Sequence, residues 1–250
     1  MRSVDLNADI GELPWETSAD AGLLQIITSA NVACGGHAGD AETMQRVCAE
    51  AARHGVAVGA QVSYVDREGF GRRAMDVAAD LLEEIVLEQI HHLDAIARAE
   101  GAPVAYCKPH GALYNTIARN AEQAVAVARA CAAFRSGLPV LGLPESVWLA
   151  MAGEHGRRPV GEAFADRAYA ADGSLLPRTE QGSVLHDGPQ IAARVVSMVA
   201  HGVVDAVNGE RVTVQVESVC VHGDTPGALT IAAQAKDRLQ ENGIDIASFA

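Results

Sequence analysis

Asp5-Leu6-Asn7-Ala8-Asp9-Ile10-Gly11-Glu12 alternates polar and apolar side chains along its first six positions. Successive side chains of a strand point to opposite faces, so Asp5, Asn7 and Asp9 share one face while Val4, Leu6 and Ala8 share the other. The apolar face calls for helices to cover it. The polar face carries two carboxylates, which packing alone does not place inside a protein, because buried charge is costly unless paired. A strand with a helix-covered back and a polar front fits the wall of an α/β barrel, with the polar groups turned into its mouth.

The rest of the chain repeats that unit. Short apolar runs near 3–8, 30–35, 56–62, 103–108, 138–142, 159–164 and 212–221 read as strands. Helical patterns near 18–28, 41–54, 76–100, 120–135, 145–155, 188–201 and 226–242 alternate with them. The alternation predicts a parallel, seven-stranded (β/α) barrel, and no Pro/Ser-rich linker divides residues 1–250 into more than one domain. Helix-to-strand turns are short. The strand-to-helix loops 61–74 and 165–188 are long, and in such barrels the loops after the strands build the active site.

Composition narrows the function. With 250 residues, 49% hydrophobic and 20% charged, the chain has an ordinary globular make-up. A formal charge of −13 argues against nucleic acid as a partner. No run approaches the roughly 18 apolar residues of a membrane span, and the N-terminus lacks the pattern of a signal peptide, so a cytoplasmic protein is expected. Cys34, Cys48, Cys107, Cys131 and Cys220 lack paired spacing, which suits reduced thiols. Cys34, on an apolar strand, reads as a buried thiol.

Five further clusters sit at strand ends. Asn31 to Asp40 (NVACGGHAGD) offers His37 among glycines, with Asp40 placed to cap the next helix. Gly59 to Arg73 ends in Gly69-Phe70-Gly71-Arg72-Arg73, where Arg72 and Arg73 are candidates to hold an anion. Lys108-Pro109-His110 is the sharpest motif, because Lys108 is one of only two lysines among 19 basic residues. An ammonium beside an imidazole suits stabilising an oxyanion while moving a proton. Asn115 ends the same segment. Glu162 shares parity with Asp166, and the adjacent Arg167 is able to grip a carboxylate with two donors. His222-Gly223-Asp224 follows the last strand. His37, His110 and His222 together make a candidate set for a divalent metal, although HExxH and paired-cysteine spacings are missing.

The ordered set DLNADIGE, NVACGGHAGD, GFGRR, KPHGALYN, FADRAY and HGD resembles the LamB/YcsF family, the A subunits of 5-oxoprolinase, over nearly the whole chain. The resemblance implies a seven-stranded barrel of the glycoside hydrolase/deacetylase kind. It also implies ATP-dependent opening of 5-oxoproline to glutamate, with B and C subunits as partners. Carried onto this chain, it points to Asp5, Asn7, Asp9, Glu12, His37, Lys108, His110, Glu162, Asp166, Arg167, His222 and Asp224. The roles expected are an oxyanion or phosphate partner in Lys108, a proton carrier in His110, a water activator in Asp9 or Glu162, and a carboxylate grip in Arg167. Two positions depart from the pattern: Gln61 stands where many relatives carry histidine, and Gly36 where they carry a bulky residue. A glutamine transfers no proton and is not a good metal ligand, so an imidazole-dependent step is not available there. Two other readings stay open: a self-sufficient metal-dependent hydrolase of a carbohydrate or amide, and a non-catalytic subunit that binds substrate or docks partners.

Overall fold

The computed structural model describes residues 2–223 and 225–250. In chain order the elements are β1 (Arg2–Ile10), α1 (Asp20–Leu23), β2 (Ser29–Ala33), α2 (Ala41–His54), β3 (Ala57–Val62), α3 (Ala79–Ala99), β4 (Tyr106–Pro109), α4 (Gly111–Ile117), α5 (Ala121–Phe134) and β5 (Pro139–Gly142). Then follow α6 (Val147–Glu154), β6 (Arg158–Phe164), α7 (Gly188–Val196), β7 (Val203–Asp205), β8 (Arg211–Thr213), β9 (Ser218–Val221), α8 (Ala228–Glu241) and β10 (Ile244–Ile246).

Strands β1 to β6 pair in sequence order, β9 follows β6, and β9 pairs back to β1, all in parallel. The result is a closed barrel of seven strands ringed by helices, as the alternation predicts. Leu6, Ala8 and Ile10 point outward and join Leu23, Val47 and Ile231 in the main core between strands and helices. Helix ends follow local chemistry: the Asp40 carboxylate accepts the Thr43 N–H at 2.8 Å and so caps α2. Asn120 and Asp187 cap α5 and α7 in the same way.

Several boundaries differ from the sequence reading. The stretch 212–221 splits into β8 and β9, and β8 forms an antiparallel hairpin with β7 outside the barrel. The helix expected over 18–28 is regular only over Asp20–Leu23. Helix α4 sits inside the loop after β4, and β10 extends the sheet beyond the barrel by pairing Arg2–Val4. These pieces are three to seven residues long, too short for periodicity to register.

Inside the barrel the strands carry more polar than apolar groups. At the N-terminal end Tyr106, Leu141 and Val160 pack with Phe249, which closes the bottom. Above them Asp5, Asn7, Ser29, Asn31, Glu162 and Ser218 fill the middle and are all buried. Each depends on hydrogen bonds from its neighbours, which is what allows polar groups to occupy the interior.

Candidate active site

The first strand sets the depth of everything else. Side chains of equal parity rise about 6–7 Å apart along a strand, so Asp5, Asn7 and Asp9 form three levels. At the lowest, Asp5 accepts hydrogen bonds from Thr28 Oγ1 and Ser29 Oγ, each at 2.6 Å, and a short one from Ser218 Oγ. Burial nevertheless lifts its carboxyl to about 6. One level up, Asn7 Nδ2 donates to Glu162 Oε1 at 2.9 Å and to Ser218 Oγ at 2.7 Å. Asn31 Nδ2 donates to Asn7 Oδ1 at 2.7 Å and to Asp9 Oδ1 at 2.9 Å, while Tyr106 OH donates to Asn31. Asp9, at the top, reaches the cavity.

Lys108 rises from β4 into this stack. Its Nζ lies 2.8 Å from Glu162 Oε1, 3.2 Å from Asp9 Oδ1, 3.1 Å from Asn7 Oδ1 and 3.2 Å from Cys220 Sγ. Burial works to neutralise the ammonium, but Asp9, Cys220 and Glu162 outweigh it and carry its pKa well above the ordinary value. Burial likewise works to raise the Asp9 pKa, yet Lys108, with His222 and His110 adding, holds it below the usual carboxylate range. The pair is therefore ionised. Its ammonium is fixed by acceptors on several sides and lies 5.4 Å from the Phe164 ring centroid.

Two imidazole centres flank the stack. His37 and His110 lie parallel, ring centroids 3.7 Å apart, and both present a nitrogen to Glu12 Oε1, at 3.1 and 3.2 Å. His110 Nε2 lies 3.1 Å from Phe70 O, and His37 Nδ1 lies 3.0 Å from Ser63 Oγ. Burial, with the stacked His37 adding, pushes His110 down to about 4, so its ring is neutral at physiological pH. Two glycines make this stacking fit. A Cβ on Gly71 would lie 2.8 Å from His37 Cβ, and one on Gly111 would meet the Gly71 carbonyl oxygen at 2.5 Å; both glycines have positive φ.

The second centre is His222. Its Nδ1 lies 2.8 Å from Asp166 Oδ1, and Thr225 Oγ1 donates to the other oxygen of the same carboxylate. The ring stacks on Phe164 at 5.4 Å. A carboxylate accepting from Nδ1–H leaves Nε2 as the reactive nitrogen, and His222 borders the cavity. Burial works to raise the Asp166 pKa, but the His222 charge and hydrogen bond hold it below the ordinary value.

The cavity over this floor has a volume of about 690 Å³. Asp9, Glu12, Arg72, Lys108, His110, Tyr114, Asn115, Arg167, Arg178 and His222 are among its walls. Arg167 is clamped by the long loop after β6: Nε donates to Ser183 O at 3.2 Å and an Nη to Leu176 O. Burial, with Arg178 nearby, lowers its pKa to about 10, which leaves it charged.

Several sequence expectations change here. Asp5, Asn7 and Glu162 face inward but do not line the cavity; Glu162 is wholly enclosed and lies against Lys108. His110 has both ring nitrogens within hydrogen-bond reach of neighbours, Nδ1 of Gln61 and Nε2 of Phe70 O. His222 is not part of the metal-competent group, because Asp166 holds it separately; Glu12 takes that place beside His37 and His110. Arg73 pairs with Asp66 at 2.9 Å and Glu68 at 3.5 Å and is absent from the cavity wall, whereas Arg72 borders it. Asn115 lines the cavity and donates to Gly111 O. Cys34 is buried and its thiol pKa is raised by burial, as expected of an inert thiol. Asp224 lies outside the described residues.

Sequence reasoning passed over Cys220 and Tyr114. Cys220 shares parity with Ser218 and His222 on β9, a signal available from the alternation rule. Tyr114 stands inside the quoted KPHGALYN motif. Its buried hydroxyl interacts with the Glu162 carboxylate, while Gln61 Oε1 is buried without a hydrogen-bond partner.

Among the described residues, Glu12, His37 and His110 offer ligand atoms that all lie within 4.8 Å of one another. The hydrogen bonds that Ser63 and Phe70 make to the far nitrogens fit the way proteins fix metal-binding imidazoles. Among the described residues, no helix is long and apolar enough to cross a membrane.

Comparison with known proteins matches residues 4–250 to the LamB/YcsF family. The 5-oxoprolinase A subunit from Mycolicibacterium gilvum (strain PYR-GCK) is 55% identical, with all of both chains covered. The solved lactam utilization protein from Thermus thermophilus is 39% identical with a TM-score of 0.92, covering 99% of this chain and 100% of that one. A T48 deacetylase solved with substrate has a TM-score of 0.50 at 12% identity, covering 98% of this chain and 87% of that one, a likeness of fold alone.

Proposed function

This chain belongs to the LamB/YcsF family, and from that premise we propose that it is the lactam-opening A subunit of an ATP-dependent 5-oxoprolinase, converting 5-oxo-L-proline to L-glutamate. The observation that carries the reading is the Asp166–His222 pair opening onto the same cavity as the fixed Lys108–Asp9 pair. Hydrolysis of a lactam adds water to the carbonyl carbon, breaks the C–N bond and leaves a nitrogen that needs a proton. His222 Nε2 is placed to take the proton from water and to return it to that nitrogen. Asp166 keeps the ring in the tautomer this requires. Lys108 supplies a positive field for the developing oxyanion, and its partners hold it still before the reaction begins. Arg167, charged and clamped at the wall, meets the substrate carboxylate.

A five-membered lactam is nearly unstrained and protected by resonance, which gives ATP its part as cosubstrate. We take the B and C subunits as the partners that couple ATP hydrolysis to activation of the carbonyl; the name shared by the relatives supports an assembly. A divalent cation held by Glu12, His37 and His110 would polarise a carbonyl or lower the pKa of a bound water. That cluster favours a second reading, a metal-dependent amide hydrolase that works without ATP or partners.

Reconstitution tests both. The chain is assayed with 5-oxoproline, ATP and its candidate partners, omitting each component in turn, with glutamate measured. Glutamate formed only by the full set supports the first reading. Chelator-sensitive hydrolysis by this chain alone supports the second. Normal turnover by a folded His222→Gln assembly would remove His222 from the chemistry.

A further inference from the structure

Gln61, at the end of β3, is fully enclosed and points its amide into the Glu12–His37–His110 cluster. The hydrogens in that cluster do not add up. His110 Nε2 faces the Phe70 carbonyl, so it carries the ring hydrogen and leaves Nδ1 as a lone pair. Ser63 gives its own hydrogen to Tyr64 O, so it accepts from His37 Nδ1, which leaves His37 Nε2 as a lone pair. Both of these ring nitrogens face the Glu12 carboxylate, at 3.1 and 3.2 Å. Three acceptors converge on one point. The only hydrogens among them come from Gln61 Nε2, 2.8 Å from Glu12 Oε1 and 3.0 Å from His110 Nδ1. The same amide leaves its Oε1 buried and unpaired.

Converging lone pairs are the donor arrangement of a cation site, and an amide presents either nitrogen or oxygen by a half-turn about Cγ–Cδ. We propose that Gln61 is the fourth ligand of a divalent-cation site formed with Glu12, His37 and His110, engaging the ion through Oε1 after its amide turns over. The turn removes an N–H from the cation and ends the isolation of Oε1. Two imidazole nitrogens and two oxygens make a harder donor set than one richer in histidine, so this site favours manganese relative to zinc more than an imidazole at position 61 would. The use of that ion in lactam hydrolysis rests on the function proposed above. The binding itself does not.

The test is therefore made without substrate. Metal-free wild type, Gln61→Leu and Gln61→His are titrated with manganese and with zinc by calorimetry, and cobalt absorption spectra report the coordination. Expected are one ion per wild-type chain, manganese affinity at least about 10-fold weaker in Gln61→Leu, and a shift of preference towards zinc in Gln61→His. Circular dichroism and melting curves establish that each variant is folded. If Gln61→Leu fails to fold, the zinc-to-manganese ratio of Gln61→His decides alone. Wild type that binds neither ion stoichiometrically overturns the proposal. So does a folded Gln61→Leu as tight for manganese as wild type, or a Gln61→His with unchanged preference. A chain that binds the ion as described yet hydrolyses no lactam counts against the hydrolytic reading alone.

Discussion

Replacing Lys108 by methionine keeps an unbranched side chain and deletes only the ammonium. Glu162 Oε1 lies 2.8 Å and Asp9 Oδ1 3.2 Å from that nitrogen, and all three side chains are nearly enclosed. Removing one partner of a buried ion pair costs about 3–5 kcal/mol, because the other charge stays behind. In a chain of this length each kcal/mol shifts the melting temperature by about 2–4 °C, so the expected loss is roughly 6–20 °C.

The pH dependence separates this cause from a packing defect. In wild type the Asp9 pKa lies below its unfolded value, so its contribution is present above the unfolded pKa and fades as pH falls through the folded one. In the variant, burial acts on Asp9 without the ammonium and raises its pKa. A group with a raised folded pKa favours folding at low pH and loses that advantage as pH rises. The melting gap between the two proteins should therefore narrow from about pH 8 to about pH 5. Adding Glu162→Gln to Lys108→Met should recover part of the loss, since one stranded charge is gone. Calorimetric melts across that range supply the measurement. A single variant melting within about 2 °C of wild type, or a gap that does not change with pH, refutes the reasoning.

Asp166→Asn should lower turnover by about 100-fold, through loss of the correct His222 tautomer, while the fold persists; unchanged turnover in the reconstituted assay removes His222 from the mechanism. Asp5→Asn should flatten the pH dependence of stability. Burial raises the Asp5 carboxyl from 3.8 to about 6, so wild-type stability falls across that window by about 3 kcal/mol, and equal slopes in denaturant titrations count against it. Gly71→Ala should cost about 1–3 kcal/mol by forcing apart the imidazole stack against which a new Cβ would press. A melting curve identical to wild type would show that the loop yields freely.

The alternation of Asp5, Asn7 and Asp9 was enough to orient β1, and with it the closed barrel, because parity follows from backbone geometry alone. Parity is blind to depth. Asp5 and Asp9 read alike in the sequence, yet one lies in the polar interior and the other borders the cavity. Glu162, read from parity as a candidate base, lies enclosed against Lys108. The three histidines also read alike, as strand-end groups, and sorting them needed contacts that span the chain: Asp166 to His222 across 56 positions, and Glu12 to His37 across 25. The glycines of GFGRR and KPHG carried no reading of their own in the sequence, because what requires them, a carbonyl pressed against a missing Cβ, exists only in three dimensions.

The pairing of β1 also bears on how the protein is made. Residues Arg2–Val4 bond to β10 at Ile244–Ile246, while Asp5–Ala8 bond to β9. The strand that bears the deepest polar residues is thus synthesised more than 200 residues before two of its neighbours. Until then the edge of β1 opposite β2 stays open, with Asp5 and Asn7 lacking Ser218. Burial of the polar interior is thus deferred until β9 has been made, and a nascent chain stalled before residue 218 holds the makings of the site without the enclosure that gives those groups their chemistry.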